Sequence, residues 1–498
     1  MALTKVTSGV RTLGTGEVAT ANMAVDPTNA SNLSSGSVPS DQLGNVDTTG
    51  LEDDIALLGF RVASNGSLAK YNLVDQTVDD FQDTSGVDAS ASTGESRDAS
   101  GKYYSGYEEG TPVATTYSAT GATVDLSVTS ALTNINFTIK TWGGGGSSGQ
   151  QGEASFQKGG GGGFSTGVYK FAGATTLKIQ AGEGATGGTI AYPGGGNRGD
   201  FSNAGQGGST GGAYSGVFIG SVAHANSLII AGGGGGGYYY SPHGGSVGGG
   251  GGGTSGTDTN QSGSGGTQSA GGSGGGGNAG TALQGGQGGN GANGGSGNIG
   301  GAGGGGGYYG GAGGGGYTKT TTTGAGGSGF IAATGTINSI GVTQVSASTV
   351  ATVGYDMNST GSSDSNYPSN AGNLEQDGAI YIAYTPVTYN NMTLVSTTTA
   401  AQAAPTKGDI VLTYTNGAGT TTLDTDLTAE ISADGGSTWT ALALASEGST
   451  GSHNIATSHD VTISSTITAP YNMAYRIKTL NQSASKTTRI QAVSLGWS

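Results

Sequence analysis

Hydrophobic and polar positions alternate with a period of two in short stretches on either side of the glycine-rich middle of the chain and again toward its carboxyl end. Thr123-Val124-Asp125-Leu126-Ser127-Val128 and Ile135-Asn136-Phe137-Thr138-Ile139-Lys140 have this pattern, and the second runs into Trp142. Such alternation predicts strands with one buried face. Val168-Tyr169-Lys170-Phe171, Leu177-Lys178-Ile179, Leu228-Ile229-Ile230, Gly329-Phe330-Ile331 and Gly378 to Tyr384 follow as further short strands. From residue 387 onward the pattern recurs at Ile410–Leu412, Leu427–Ile431, Val461–Ile463, Tyr475–Ile477 and Val493–Trp497. Regular short strands over this last portion predict a β-sandwich, with the final strand tied into a sheet.

One region has helical spacing instead. Leu51, Ile55, Leu58 and Val62 recur at intervals of four, three and four, behind a Thr49–Glu52 capping box. After Ser64-Asn65-Gly66-Ser67, the residues Tyr71, Val74, Val78 and Phe81 recur at three, four and three. The two registers do not match across the break, so two short helices are expected. Their narrow stripes suit either packing on a neighbouring domain or a short oligomerising bundle.

Between Trp142 and Tyr317 the strands are interleaved with glycine runs: Gly143–Gly146, Gly159–Gly163, Gly232–Gly237, Gly248–Gly253, Gly274–Gly277, Gly303–Gly307 and Gly313–Gly316. The expected organisation is an attachment or connector segment over 1–50, a helical region over 51–82 and a polar linker over 83–112. A glycine-rich domain over 113–386 and a sandwich over 387–498 complete it. The fold class is mostly β.

Composition narrows the function. Among 498 residues, 106 are Gly, 9 are Pro and none is Cys. Without a strict three-residue glycine period, collagen is excluded. The formal charge of −15 and the absence of a Lys/Arg cluster argue against a nucleic acid partner. No apolar stretch is long enough to insert in a membrane as a helix. The amino terminus lacks the apolar core of a signal peptide, and the expectation is a component released by lysis, as virion proteins are.

Candidate chemistry is sparse. His224, His243, His453 and His459 show no zinc spacing and no nucleophile–base arrangement. Tyr103-Tyr104-Ser105-Gly106-Tyr107-Glu108-Glu109 reads as a solvated loop. Ser432-Ala433-Asp434-Gly435-Gly436-Ser437-Thr438-Trp439 resembles an Asp-box, which in a single copy implies a structural hairpin. The GxGxxG spellings arise from any polyglycine run and carry no information. No catalytic residue, metal site or cofactor is expected. The informative residues are the tyrosines after the glycine runs: Tyr238, Tyr239, Tyr240, Tyr308, Tyr309 and Tyr317. They either cap glycine segments or stand at loop tips as receptor-binding aromatics.

Ordering glycine costs more backbone entropy than ordering any other residue. Without Cβ atoms, though, extended threefold helices rising about 3.1 Å per residue can pack side by side and bond to one another. Gly232–Tyr240, Gly303–Tyr309, Gly313–Tyr317 and Gly326-Gly327-Ser328-Gly329-Phe330 resemble the glycine-rich domains of phage tail-fibre adhesins. They are also similar to the glycine-rich domain of receptor tyrosine kinases related to anaplastic lymphoma kinase, which normally carries cysteines absent here. Leu68 to Asp75, Asn391 to Ser396 and Tyr475 to Leu480 resemble elements of marine and cyanobacterial phage fibre proteins. The resemblance implies packed polyglycine-II helices framed by strands. It implies a homotrimeric, non-enzymatic tail-fibre subunit, located in the virion and extracellular after release. Its partners would be other tail or baseplate proteins and a host surface protein or glycan. The alternatives are a cell-derived adhesin or filament subunit, and a polysaccharide-cleaving tailspike, for which paired carboxylates in a groove would be required.

Overall fold

The computed structural model describes residues 75–149, 158–200, 207–240, 244–259, 263–291, 299–316, 322–350, 358–463 and 467–498. These residues are mostly β, in several antiparallel sheets. Their only helices are two single 3₁₀ turns, at Ser130–Leu132 and His224–Asn226.

Two sheets meet around the carboxyl-terminal core. In the first, Ser96–Asp98, Tyr103–Ser105, Thr487–Trp497, Lys407–Ala418, His453–Thr462 and Ala445–Thr450 lie in that order. In the second, Met392–Val395, Asn472–Thr479, Leu427–Ser432 and Thr440–Leu442 are neighbours. Alternation decides which side chains point inward. Met473, Tyr475 and Ile477 are buried, whereas Arg476 and Lys478 between them keep partial access to solvent. Ile410, Leu412, Val493, Leu495 and Trp497 of the first sheet share one core with Leu394, Leu427, Ile431 and Tyr475 of the second. Each such burial stabilises by roughly 1.5–3 kcal/mol.

Over residues 75–81 the helical expectation fails. Asp75–Asp79 is a strand, paired antiparallel with Trp497 to Val493. Val78 is 46 % exposed and Phe81 is fully buried, so these two do not share the face that helical spacing assigned them. Pairing with Thr487–Trp497 satisfies the backbone groups along one side of this segment, and Phe81 (φ 53°) turns under to meet Tyr104 edge-on at 5.0 Å. Arg97 secures that turn by donating to the carbonyls of Phe81 and Gln82. Leu51 to Val74 lie outside the described residues, as do residues 1–50. Residues 83–112, expected to be linker, instead carry three short strands. Ser96–Asp98 pairs with Tyr103–Ser105, which pairs with Thr487–Trp497, and Tyr107–Glu109 pairs with Val387–Tyr389.

Two further sheets meet around a second core. One orders Gly335–Ile337, Ile340–Val350, Phe164–Phe171, Phe137–Trp142, Ala379–Tyr384 and Val113–Ser118. The other orders Phe330–Ile331, Ser227–Ala231, Ser215–Ile219, Thr175–Gln180 and Val124–Val128. Phe137, Ile139, Tyr169, Phe171 and Ile382 face Leu177, Ile179, Val217, Ile219 and Ile229 across it.

Glycine runs leave directly from the ends of these strands. Gly143 follows Trp142, Gly232 follows Ala231, Gly163 precedes Phe164 and Gly329 precedes Phe330. Their backbone bonds are made between runs. In Gly232–Gly237, Gly233 and Gly236 donate to the carbonyls of Gly306 and Gly303 (2.7 and 2.9 Å). Gly234 and Gly237 donate to Gly144 and Ser147, and Gly235 to Gly249. The carbonyls repeat the same rule: Gly232 and Gly235 accept from Gly163 and Gly160, Gly233 and Gly236 from Gly327 and Gly324, Gly234 and Gly237 from Gly212 and Ser209. Bonding directions therefore recur every third residue, and one run is bonded to six neighbours. In the Gly303–Gly307 run, Gly303 and Gly306 likewise both donate to a single segment, at Ser209 and Gly212.

Candidate binding surfaces at the glycine runs

The glycine runs set where the tyrosines can go, because side chains are excluded inside them. A Cβ built on Gly234 would stand 1.8 Å from the carbonyl oxygen of Gly160, and one on Gly235 2.1 Å from that of Gly324. Both oxygens belong to backbone, so no rotamer change relieves either contact. Aromatic residues are thus confined to the ends of runs.

At one end, Tyr238–Tyr240 forms a hairpin with Gly244–Ser246 and pairs on its other edge with Gly207–Gly208. Tyr238 is 7 % exposed, a packed residue, and Tyr239 is half-buried. The side chain of Tyr240 and the whole of Tyr317 lie outside the described residues. At another end, Tyr308 stacks on Phe330 at 3.9 Å between ring centroids and 11° between planes. On its opposite face lies His224, at 4.0 Å and 24°. Both faces of the Tyr308 ring are therefore covered, and a ligand ring cannot stack there. Tyr309 meets Tyr308 and His224 edge-on (5.4 and 4.7 Å) and remains half-buried. Burial raises the Tyr308 hydroxyl and lowers the His224 imidazole from their ordinary values, which favours the neutral form of each. Of the six tyrosines, Tyr239 and Tyr309 are the described ones with a partly open ring and no ring partner on both faces.

The remaining histidines that can be placed form no site. His459 pairs through Nδ1 with the buried carboxylate of Asp409 at 3.0 Å, an interaction hidden in sequence because the partner lies across the sheet. His453 is buried in the same strand. His243 lies outside the described residues. Among the described residues no group of three His, Asp or Glu side chains could hold a metal ion, and none of their helices is long and apolar enough to cross a membrane. The Asp-box-like turn joins Leu427–Ser432 to Thr440–Leu442, which pair antiparallel. Asp434 accepts hydrogen bonds from the Thr438 amide and hydroxyl and from Ser432, Gly435 and Gly436 take positive φ, and the Arg476 guanidinium covers the Trp439 ring at 4.3 Å. The Asp434 carboxylate and the Ser432 and Thr438 hydroxyls are thus engaged within the turn itself.

A second aromatic cluster gathers where the two pairs of sheets adjoin. Tyr107 and Tyr389 are direct partners in a two-stranded ribbon, with ring centroids 5.7 Å apart. The loop 134–136 and Lys170 line the same cavity. In sequence Tyr107 sits in the loop read as solvated, and nothing short of the fold connects it to Tyr389, Asn136 or Lys170. No protein family matches the chain, and no curated protein is similar to it in sequence.

Proposed function

We propose that the protein is a structural and receptor-binding subunit of a phage tail fibre. On this reading the glycine runs form a lattice of polyglycine-II helices, and the carboxyl-terminal pair of sheets is a β-sandwich. The lattice serves as a rigid scaffold that presents binding surfaces, and homotrimeric copies on a virion multiply weak contacts with the host surface. Other tail or baseplate proteins hold the subunit on the particle, and it is extracellular after release.

One observation carries the reading. The Gly232–Gly237 run repeats its bonding directions every third residue, toward six neighbours. A threefold helix rising about 3.1 Å per residue has this symmetry, and six residues of it extend roughly 19 Å. Ordering each residue costs about 1–2 kcal/mol, while each backbone bond returns about 1 kcal/mol net. The runs are thus near balance by themselves and depend on the framing sheets. Such a scaffold combines order with side-chain-free walls and leaves chemistry to its ends and edges, which suits binding better than catalysis.

The test is adsorption. Purified protein should compete with phage particles for host cells and lower the adsorption rate, without releasing reducing sugar from the cell surface. Sugar release would favour a polysaccharide-cleaving tailspike. Failure to compete, together with assembly of the protein into cell-attached filaments, would favour a cell-derived adhesin.

A further inference from the structure

We infer that the groove around Tyr107 and Tyr389 is a saccharide site, selective for neutral or N-acetylated oligosaccharides over anionic ones. The proposal rests on the receptor-binding reading for its biological role, but the site's chemistry stands apart from it.

The groove is built by the ribbon of Tyr107–Glu109 with Val387–Tyr389. Residues one apart along a strand point to opposite faces, so Tyr107 and Glu109 share a face with their partners Tyr389 and Val387. Val387 is buried in the second core, against which both tyrosines also pack. Both tyrosines are therefore partly buried against that core and line the adjoining cavity with what remains exposed. Gly106 is required for this approach: a Cβ there would meet the Asn390 carbonyl oxygen at 1.7 Å.

Two cavities flank the ribbon and share Tyr107 and Glu109. One, of about 320 Å³, is bordered by Asn134, Asn136, Lys170 and Thr385. The other, of about 600 Å³, is bordered by Asp98, Ser100, Tyr103 and Glu108. Tyr103 is backed by the Arg489 guanidinium at 5.0 Å from its ring. A pyranose ring presents apolar C–H faces and a rim of hydroxyls that donate and accept. Flat aromatic faces beside amide, carboxylate, ammonium and hydroxyl groups match both. Two adjoining cavities that share a wall suit two consecutive sugar units.

Charge sets the selectivity. Glu109 borders both cavities, with Asp98 and Glu108 beside it. The cations are Lys170 in one cavity and, in the other, Arg97, whose charge its bonds to the Phe81 and Gln82 carbonyls leave in place. Carboxylates are in excess by one. The Tyr107 hydroxyl donates to Glu109 at 3.1 Å. A carboxylate or sulfate on the ligand would meet like charge here.

The experiment uses the full chain on a printed array of neutral, N-acetylated, sialylated and sulfated oligosaccharides. Binding to members of the first two groups is expected. Tyr389→Ala should weaken it about tenfold or more, as truncating a central aromatic does. Asn136→Ala changes an exposed residue and should weaken it without altering the melting temperature, while Tyr389→Phe keeps the ring and should retain binding. Binding confined to sialylated or sulfated members, binding unchanged in both alanine variants, or no binding at all would overturn the proposal. Wild-type protein that blocks adsorption, with groove variants that bind sugar and block adsorption as well as it does, would overturn the proposal and leave the receptor-binding reading intact. Groove-dependent sugar binding without any block of adsorption would support the site and count against that reading.

Discussion

A methyl group on Gly234 would stand 1.8 Å from the carbonyl oxygen of Gly160. The two runs approach this closely because the Gly160 amide bonds to Gly235, the next residue along. Side-chain absence and inter-run bonding are therefore the same fact. Gly234→Ala should destabilise the protein by about 3 kcal/mol or more, since overpacking against backbone has no rotamer to relieve it. Gly173→Ala is the control, its nearest neighbour being Ile340 at an ordinary 3.6 Å. Denaturant unfolding of both variants checks this, and equal midpoints would contradict it.

Tyr308 is held between His224 and Phe330, so its role is to close the end of a glycine run. Tyr308→Ala should cost about 2–4 kcal/mol, from lost ring burial and stacking. Tyr309→Ala, which removes edge contacts of a half-buried ring, should cost about 1 kcal/mol. Thermal melts of the two variants give the comparison, and a reversed order would show that Tyr308 is not the sealing residue.

Asp426 links stability to pH. Its side chain is 1 % exposed and accepts from the Lys486 ammonium at 2.7 Å and from Asn481 at 2.9 Å. The Lys486 bond first, then that of Asn481, lower its pKa from 3.8 to about 2. A depressed carboxylate stabilises the fold fully above the unfolded value and loses that contribution as pH falls through the folded one. Stability should therefore decline between about pH 4 and pH 2. Asp426→Asn should be less stable at neutral pH and show a shallower decline over that window. A parallel decline in the variant would mean that other carboxylates carry the effect.

The strands were legible because alternation is local. Leu427–Ile431, Tyr475–Ile477 and Val493–Trp497 all fall within observed strands. Val78 and Phe81 misled because a three-residue interval fits a helix, while the edge of Thr487–Trp497 that captures the segment is about 400 residues away. The candidate site was less visible. Ring partners on both faces of Tyr308 come from His224 and Phe330, whose order in the chain does not announce a stack. Tyr107 carries no signal of its own in the sequence, because its partner Tyr389 lies nearly 300 residues on. The glycine runs announced close packing, but not which run bonds to which.

The central claim is that these runs are ordered by bonds to one another. Amide hydrogen exchange of the intact protein, followed by mass spectrometry on peptides spanning 232–237, tests it most directly. Amides at Gly233 to Gly236 each donate to a carbonyl of another glycine run, and that of Gly237 to Ser147 just beyond one. They should exchange as slowly as those of the core strand Ser227–Ala231. Complete exchange of 232–237 within seconds, while that strand stays protected, would contradict the claim.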